Sequence, residues 1–367
     1  MRGAQIHNGG DEVEQVSRPA AVNGTPSFAL RMAKRLGLRH VDSGELAIRR
    51  RRCGKGWAFY RPDGGLIRDK ATVRRLESLA VPPAYQDVLY AEDPAAHLQA
   101  IGRDAAGRLQ YRYHPDWEKV REMRKARRLS RLANVLSRIH RSLGQHLAAA
   151  APTREFTLAA VIELIARSAI RPGSEEYARE RGTRGAATLL KSNVSIYGDT
   201  VTLSFKGKGG KSITKEVVAA RLANALALLR QLPGKRLFQY RTESGELRHV
   251  TAREVNVFLR EIAGAEISLK DFRTLVASAG ALEALARAAP AKSERSRKKQ
   301  VLEAVRAVAE DLSNTPAICR KSYVHGTVVA AFEDGALERF AQTLAGCRSQ
   351  SRRAQVLAEI IAASAKD

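Results

Sequence analysis

Three cysteines in 367 residues, Cys53, Cys319 and Cys347, are too few and too irregularly spaced for a disulfide framework or a cysteine metal site. Their scarcity fits a reducing compartment. No run of about eighteen apolar residues occurs, so no segment has the length of a spanning helix. The first segment, Met1 to Asn23, is polar and mixes acidic residues with Arg2 and Arg18, which is not a secretory pattern. The expectation is a soluble, cytoplasmic chain with no membrane partner. Acidic residues are the scarcer charge: 38 Asp+Glu against 63 Lys+Arg leave a formal net charge of +25. That balance suits a polyanionic partner, and RNA or an anionic membrane surface would satisfy it as well as DNA.

Aromatic residues make up only 5% of the chain, so their clusters mark the organisation. Residues 1–24 hold few of them and read as a disordered leader. Thr25-Pro26 has the signature of a helix start. After the run Arg49 to Arg52, solvated or phosphate-facing, Trp57 to Tyr60, the turn Pro62-Asp63-Gly64-Gly65 and Leu66-Ile67 read as a hairpin. Segments 81–85, 88–90, 97–100 and 109–113 continue a small antiparallel sheet. From Asp116 the pattern becomes helical, with Leu132, Val135, Leu136, Ile139, Leu143 and Leu147 on one face and arginines crowding the rest. The fold class is α+β: a β-rich domain over 25–118, a larger, mainly helical domain over 119–345, and a tail helix over 346–367.

The helical domain carries the chemistry. A helix from Phe156 to Ala169 leads to Ile170-Arg171-Pro172-Gly173. Residues 193–197 and 200–206 alternate as strands and place Gly207-Lys208-Gly209-Gly210 on a hairpin tip. Gly210-Lys211-Ser212 does not make a P-loop, because that spacing needs glycine where the chain has Phe205. Thr251 and Glu254 form a capping box. A further helix follows Arg273 to Ala288, Pro290 to Lys299 reads as a surface linker, and Val301, Val305, Val308 and Leu312 recur at helical spacing. Thr315-Pro316 then restarts a helix that carries Tyr323.

Arg171, Lys208, Arg273, Asn314 and Tyr323 read as one site in which a tyrosine attacks a DNA phosphate. Negative charge builds on the non-bridging oxygens as the nucleophile enters, and arginine forks fit those oxygens. A lysine among cations gives up a proton readily, which makes Lys208 the candidate general acid. Tyr323 is the candidate nucleophile of a covalent intermediate. Cys319, one turn away, reads as packing.

The motifs Ile170-Arg171-Pro172-Gly173-Ser174-Glu175, Phe205-Lys206-Gly207-Lys208, Leu269-Lys270-Asp271-Phe272-Arg273-Thr274, Ser313-Asn314-Thr315-Pro316 and Arg320-Lys321-Ser322-Tyr323 resemble, in order and spacing, the type IB DNA topoisomerases of the bacterial and poxvirus group. The resemblance implies nicking of one strand of double-stranded DNA, a 3′-phosphotyrosyl link, rotation of the free 5′ end, and religation without ATP, metal or other cofactor. It also implies a monomeric clamp formed by two lobes, associated with the nucleoid. Arg171 and Arg273 would clamp the transition state, and Asn314, where poxvirus-like members place histidine, would donate an amide to a non-bridging oxygen. Lys270 also matches, and Tyr177 falls where the family contacts phosphate. Gly209 and Arg181 depart from the family's usual residues. In the other domain, Gly102 through Trp117 matches a DNA-contacting stretch. There Gln110 has the chemistry to read a base edge, while Arg108, Tyr111 and Tyr113 would contact phosphate or stack.

Two other classes share parts of this pattern. Tyrosine recombinases use the same Arg, Lys, Arg and Tyr, but typically have histidine where this chain has Lys270. A non-catalytic basic DNA-coating protein would leave Tyr323 as one structural tyrosine among nine.

Overall fold

A computed structural model describes residues 27–149, 151–347 and 349–363. The expected leader over 1–24 and the Thr25-Pro26 helix start lie outside them. The chain divides into two compact units, Met1–Lys125 and Ala126–Asp367.

The first unit opens with α1 (Phe28–Arg35), capped by Ser27, whose hydroxyl accepts from the Leu30 amide. Five strands follow: β1 (Ile48–Cys53), β2 (Gly56–Tyr60), β3 (Gln86–Tyr90), β4 (Leu98–Arg103) and β5 (Leu109–Tyr113). They form one antiparallel sheet in the order β2-β1-β3-β4-β5. Three sequence readings need correction here. The arginine run is itself a strand, and it forms the main hairpin with β2; the 62–65 turn adds only a bridge between Tyr60 and Leu66. Residues 81–85 are not a strand, because Val81, Pro82 and Tyr85 give their carbonyls to the Arg50 guanidinium rather than to a ladder. Between β2 and β3 lies α2 (Lys70–Ser78), whose Leu76 packs with Ile48, Phe59, Val88 and Tyr90.

The helix α3 (Pro115–His146) runs through the division at Lys125. Its first turns belong to the first unit, since Trp117 and Val120 pack with Ala33 and Leu38. Its later turns bury Leu132, Leu136, Ile139 and Leu143 in the core of the second unit.

That core surrounds α4 (Arg154–Ser168), which is apolar almost all round and buried along most of its length, as a central helix must be. After α5 (Glu175–Arg181) come β6 (Val194–Tyr197), β7 (Thr200–Lys206) and β8 (Ser212–Val218), a three-stranded meander. Next are α6 (Ala220–Gln231), a short hairpin of β9 (Gln239–Arg241) and β10 (Leu247–His249), and α7 (Ala252–Ala263) with the Thr251–Glu254 capping box in place. The helix α8 (Leu269–Ala286) starts a full turn before Arg273 instead of following it, because Ser268 and Asp271 cap it. The expected linker is shorter than 290–299: α9 (Glu294–Asp311) is capped by Ser293, whose hydroxyl accepts from the Ser296 amide. The chain ends in α10 (Pro316–Ser322), α11 (Gly326–Glu333), α12 (Ala341–Leu344) and α13 (Gln350–Ala363). This last helix is no detached tail, for Ala354, Val356, Leu357, Ile360 and Ile361 are buried in the same core.

Candidate active site

Arg171 stands just past α4, where Ala169 takes a left-handed conformation at φ 51° and turns the chain out of the helix. The loop is pinned from the other side. The amides of Ala186 and Ala187 donate to the carbonyls of Arg171 and Pro172, both at 2.8 Å. Gly173 (φ +93°) crosses Gly185 so closely that a Cβ on Gly185 would sit 2.5 Å from the Gly173 nitrogen. Arg236 adds a two-pronged clasp on Glu175, at 3.0 and 2.6 Å, and donates to the Ala187 carbonyl. A planar fork on a carboxylate fixes orientation as well as distance.

Arg273, in the second turn of α8, is 2% exposed. One of its terminal nitrogens donates to the Ala169 carbonyl and the other to the Leu312 carbonyl. Each acceptor lies two residues before another candidate, Arg171 in one case and Asn314 in the other. Arg273 therefore ties together the chain segments that present them. Burial lowers its pKa, and its Nε is buried without a hydrogen-bond partner.

Asn314 follows Ser313, which adopts φ 52°, and its amide donates to the Ala309 carbonyl. Its side-chain oxygen accepts from Arg171 at 2.5 Å. Its side-chain nitrogen is buried with no partner. Tyr323 closes α10, whose start is set by Thr315 at the cap and Pro316 in the first turn. The Arg273 guanidinium lies 5.1 Å from the centre of its ring. Burial raises the phenol's pKa, but the positive charge of Arg273, Arg171 and Lys270 outweighs it, and the net shift is downward. Ser278 fixes the backbone: its hydroxyl donates to the Tyr323 carbonyl at 2.9 Å and accepts from the His325 amide at 3.0 Å.

Lys208 is carried separately, in a one-turn 3-10 helix on the exposed tip between β7 and β8. The tip needs glycine on both sides. Gly209 and Gly210 take positive φ, and a Cβ on Gly207 would meet Ile213 at 2.3 Å. Lys270 is exposed in the first turn of α8, and Tyr177 is 38% exposed beside Arg181 on α5. Contacts thus join Arg171, Arg273, Asn314 and Tyr323 directly.

In the first unit, Tyr111 stacks on Tyr113 and Tyr113 on Trp117. Arg108 and Gln110 both donate to Asp104, whose carboxyl is held down to about 2, chiefly by Arg108. Sequence reasoning missed Ser278, Glu175 and Arg236. Glu175 stood inside a quoted motif, while the other two had no local pattern to mark them. Among the described residues, no group of three or more His, Cys, Asp or Glu could hold a metal, and no helix is long and apolar enough to cross a membrane.

Residues 114–350 match the family model described as eukaryotic DNA topoisomerase I, catalytic core, and residues 56–104 match the bacterial DNA topoisomerase IB N-terminal domain. The chain belongs to the type IB DNA topoisomerases, with an amino-terminal domain of the bacterial kind. It is similar to the DNA topoisomerase 1B of Acanthamoeba polyphaga mimivirus, 29% identical over 303 residues, covering 81% of this chain and 89% of that one. It is also similar to the DNA topoisomerase 1B of vaccinia virus (strain Copenhagen), 22% identical over 276 residues, covering 72% and 83%. Among solved structures, the XerH site-specific recombinase bound to difH substrate overlaps 55% of this chain and 52% of its own, at 15% identity and a TM-score of 0.33, too slight an overlap to bear on the site.

Proposed function

We propose that Tyr323 attacks a phosphodiester in one strand of duplex DNA, so that its phenolic oxygen bonds to phosphorus while the bond to the 5′ oxygen breaks. The phenol gives up its proton and the departing oxygen takes one from Lys208. The 3′-phosphotyrosyl bond conserves the energy of the broken linkage, the free 5′ end rotates, and the 5′ hydroxyl then reverses the step. Arg171 and Arg273 stabilise charge on the non-bridging oxygens, joined by the Asn314 amide. Lys270 and Tyr177 serve as phosphate contacts in the same unit, and Arg108, Gln110, Tyr111 and Tyr113 as DNA contacts in the other. Gln110 reaches a base edge by exchanging Asp104 for it.

One observation carries this reading. Residues from four separate chain segments are held in one cationic cluster around a tyrosine, buried at Arg273 and Tyr323 and half-buried at Arg171 and Asn314, and two of its buried donor atoms, Arg273 Nε and Asn314 Nδ2, are left without hydrogen-bond partners. Buried donors are normally paired, so such a pair points to an acceptor that arrives with the substrate. Phosphate oxygens fit that description.

We infer further that the working unit is a monomer that closes on DNA, in the cytoplasm at the nucleoid, with the charge supplied by side chains and not by an added metal. The test is relaxation of plasmids of both supercoil signs by the purified chain in excess chelator without nucleotide, with a protein–DNA adduct trapped by denaturant. A requirement for Mg²⁺ or ATP, or products confined to one recombination sequence, would overturn it.

A further inference from the structure

Strand pairing divides the arginine run of β1 between two faces of the sheet. Arg50 and Arg52 share a face with Phe59 and Trp57, since Arg50 stands opposite Phe59 and Arg52 opposite Trp57. Their guanidinium groups lie 3.9 and 5.4 Å from the Trp57 ring, and Arg50 also donates to the carbonyls of Val81, Pro82 and Tyr85. Arg50 is thereby committed to the fold; Arg52 is exposed, but it lies on the same face as Arg50, against the Trp57 ring and turned away from Arg49 and Arg51.

Arg49 and Arg51 stand on the other face. Arg49 is opposite Tyr60 on β2 and Leu89 on β3; Leu89 is opposite Ile101 on β4, and Ile101 is opposite Tyr111 on β5. One sheet face therefore carries Arg49, Arg51, Tyr60, Arg103, Tyr111 and Tyr113. Arg49, Arg51 and Arg103 are exposed, and the three tyrosines are half-buried. Arg51 lies over the Tyr60 ring at 5.0 Å. Arg103 pairs with Asp87 at 3.6 Å, whereas neither Arg49 nor Arg51 has an ion-pair partner among the described residues.

We propose that the exposed side chains of this face bind duplex DNA around its packed centre at Leu89 and Ile101, with Arg49 and Arg51 on backbone phosphates alongside the contacts made by Tyr111 and Tyr113, while Arg50 and Arg52 take no part. The proposal rests on the reading of the chain as a duplex-binding topoisomerase. Its chemistry is that of a polyanion meeting uncommitted arginines set between aromatic rings, one of which already orients a guanidinium. Adjacent residues of equal charge thus have opposite roles, fixed by the period-two alternation of a strand.

The test uses the full chain carrying Tyr323→Phe, so that binding is read without cleavage. Affinity for a fluorescein-labelled duplex is measured by anisotropy across a salt series, with Arg49→Ala, Arg51→Ala, their double substitution, and Arg52→Ala compared. Each phosphate contact contributes a salt slope of about 0.9. Arg49→Ala and Arg51→Ala should each weaken binding roughly fivefold near physiological salt and flatten the slope by about one, and the double substitution by about two. Arg52→Ala should change neither. Equal losses for Arg51→Ala and Arg52→Ala would mean that only net charge matters, and an unchanged slope for the double variant would mean that this face does not touch DNA; either overturns the proposal. A thermal melt of each variant shows that a loss is not unfolding. If the slopes behave as expected but the Tyr323 protein forms no adduct, the surface stands and the nucleophile assignment falls.

Discussion

Arg171 donates to the side-chain oxygen of Asn314 at 2.5 Å, and that bond turns the Asn314 nitrogen inward with no partner of its own. The arginine therefore does two jobs. On the proposed mechanism it offers its remaining N–H groups to a phosphate, and by holding the amide oxygen it leaves the Asn314 nitrogen as a further donor. An aspartate at 314 would keep the bond to Arg171 and lose the donor. Asn314→Asp should slow single-turnover cleavage by roughly a hundredfold or more, the scale of losing one oriented donor to a developing oxyanion. A rate within a few-fold of the parent would remove Asn314 from the chemistry.

Tyr323→Phe deletes one hydroxyl and should abolish cleavage and the covalent adduct while duplex affinity holds. The same variant reports on the phenol's titration. Because cationic neighbours outweigh burial and depress its pKa, Tyr323 should ionise at lower pH than an ordinary tyrosine, and cleavage should rise along that limb. Ultraviolet difference titration of parent against Tyr323→Phe should show the missing transition at the low end of the tyrosine range. A missing transition at or above the ordinary value would mean that burial wins.

Lys208→Ala should cripple cleavage of ordinary DNA yet spare a substrate whose bridging 5′ oxygen is sulfur, since sulfur departs without a proton. Arg171→Ala and Arg273→Ala should impair both substrates, by roughly a hundredfold or more, because non-bridging charge builds in either case. Equal losses on the two substrates for Lys208→Ala would make it a positioning residue.

Local rules explain which of these features were legible in the sequence. The Thr251–Glu254 box, the Thr315-Pro316 start and the Lys208 tip are each set by residues within a few positions of one another, and all were readable. The helix α2 was missed because it is only nine residues long and mostly polar, burying only Leu76 completely. Ser278 and Arg236 act on partners far along the chain, so nothing near them in sequence differs from ordinary helix or loop. The arginine run was legible as charge, but its division between two faces needed the pairing register.

His97 is stacked on His40 with ring centres 4.2 Å apart, and its Nδ1 accepts from the Val41 amide. Burial, with His40 close by, brings its pKa down to about 4, against the favourable charge of Glu45. The unfolded chain therefore binds more protons than the native one between about pH 6.5 and 4. Stability is fully present above that window and falls as pH drops through it, by order of 3 kcal/mol for this group. Denaturation midpoints of the parent should fall across the window. Those of His97→Asn should fall less steeply; parallel curves would exclude the pair as the source.

Ser278 is buried completely, so Ser278→Ala would strand a carbonyl and an amide at a cost of about 1–3 kcal/mol, visible as a lower denaturant midpoint.

The same serine has a mechanical meaning. Tyr323 sits at the end of a helix of seven residues, a weak mount for the side chain proposed as the attachment point of a swivelling DNA end. Through Ser278 its backbone is pinned to α8, an eighteen-residue rod that also carries Arg273. If Tyr323 is the nucleophile, as proposed, torque arriving through the phosphotyrosine is passed to that rod, so that the attacking oxygen and Arg273 move on one element.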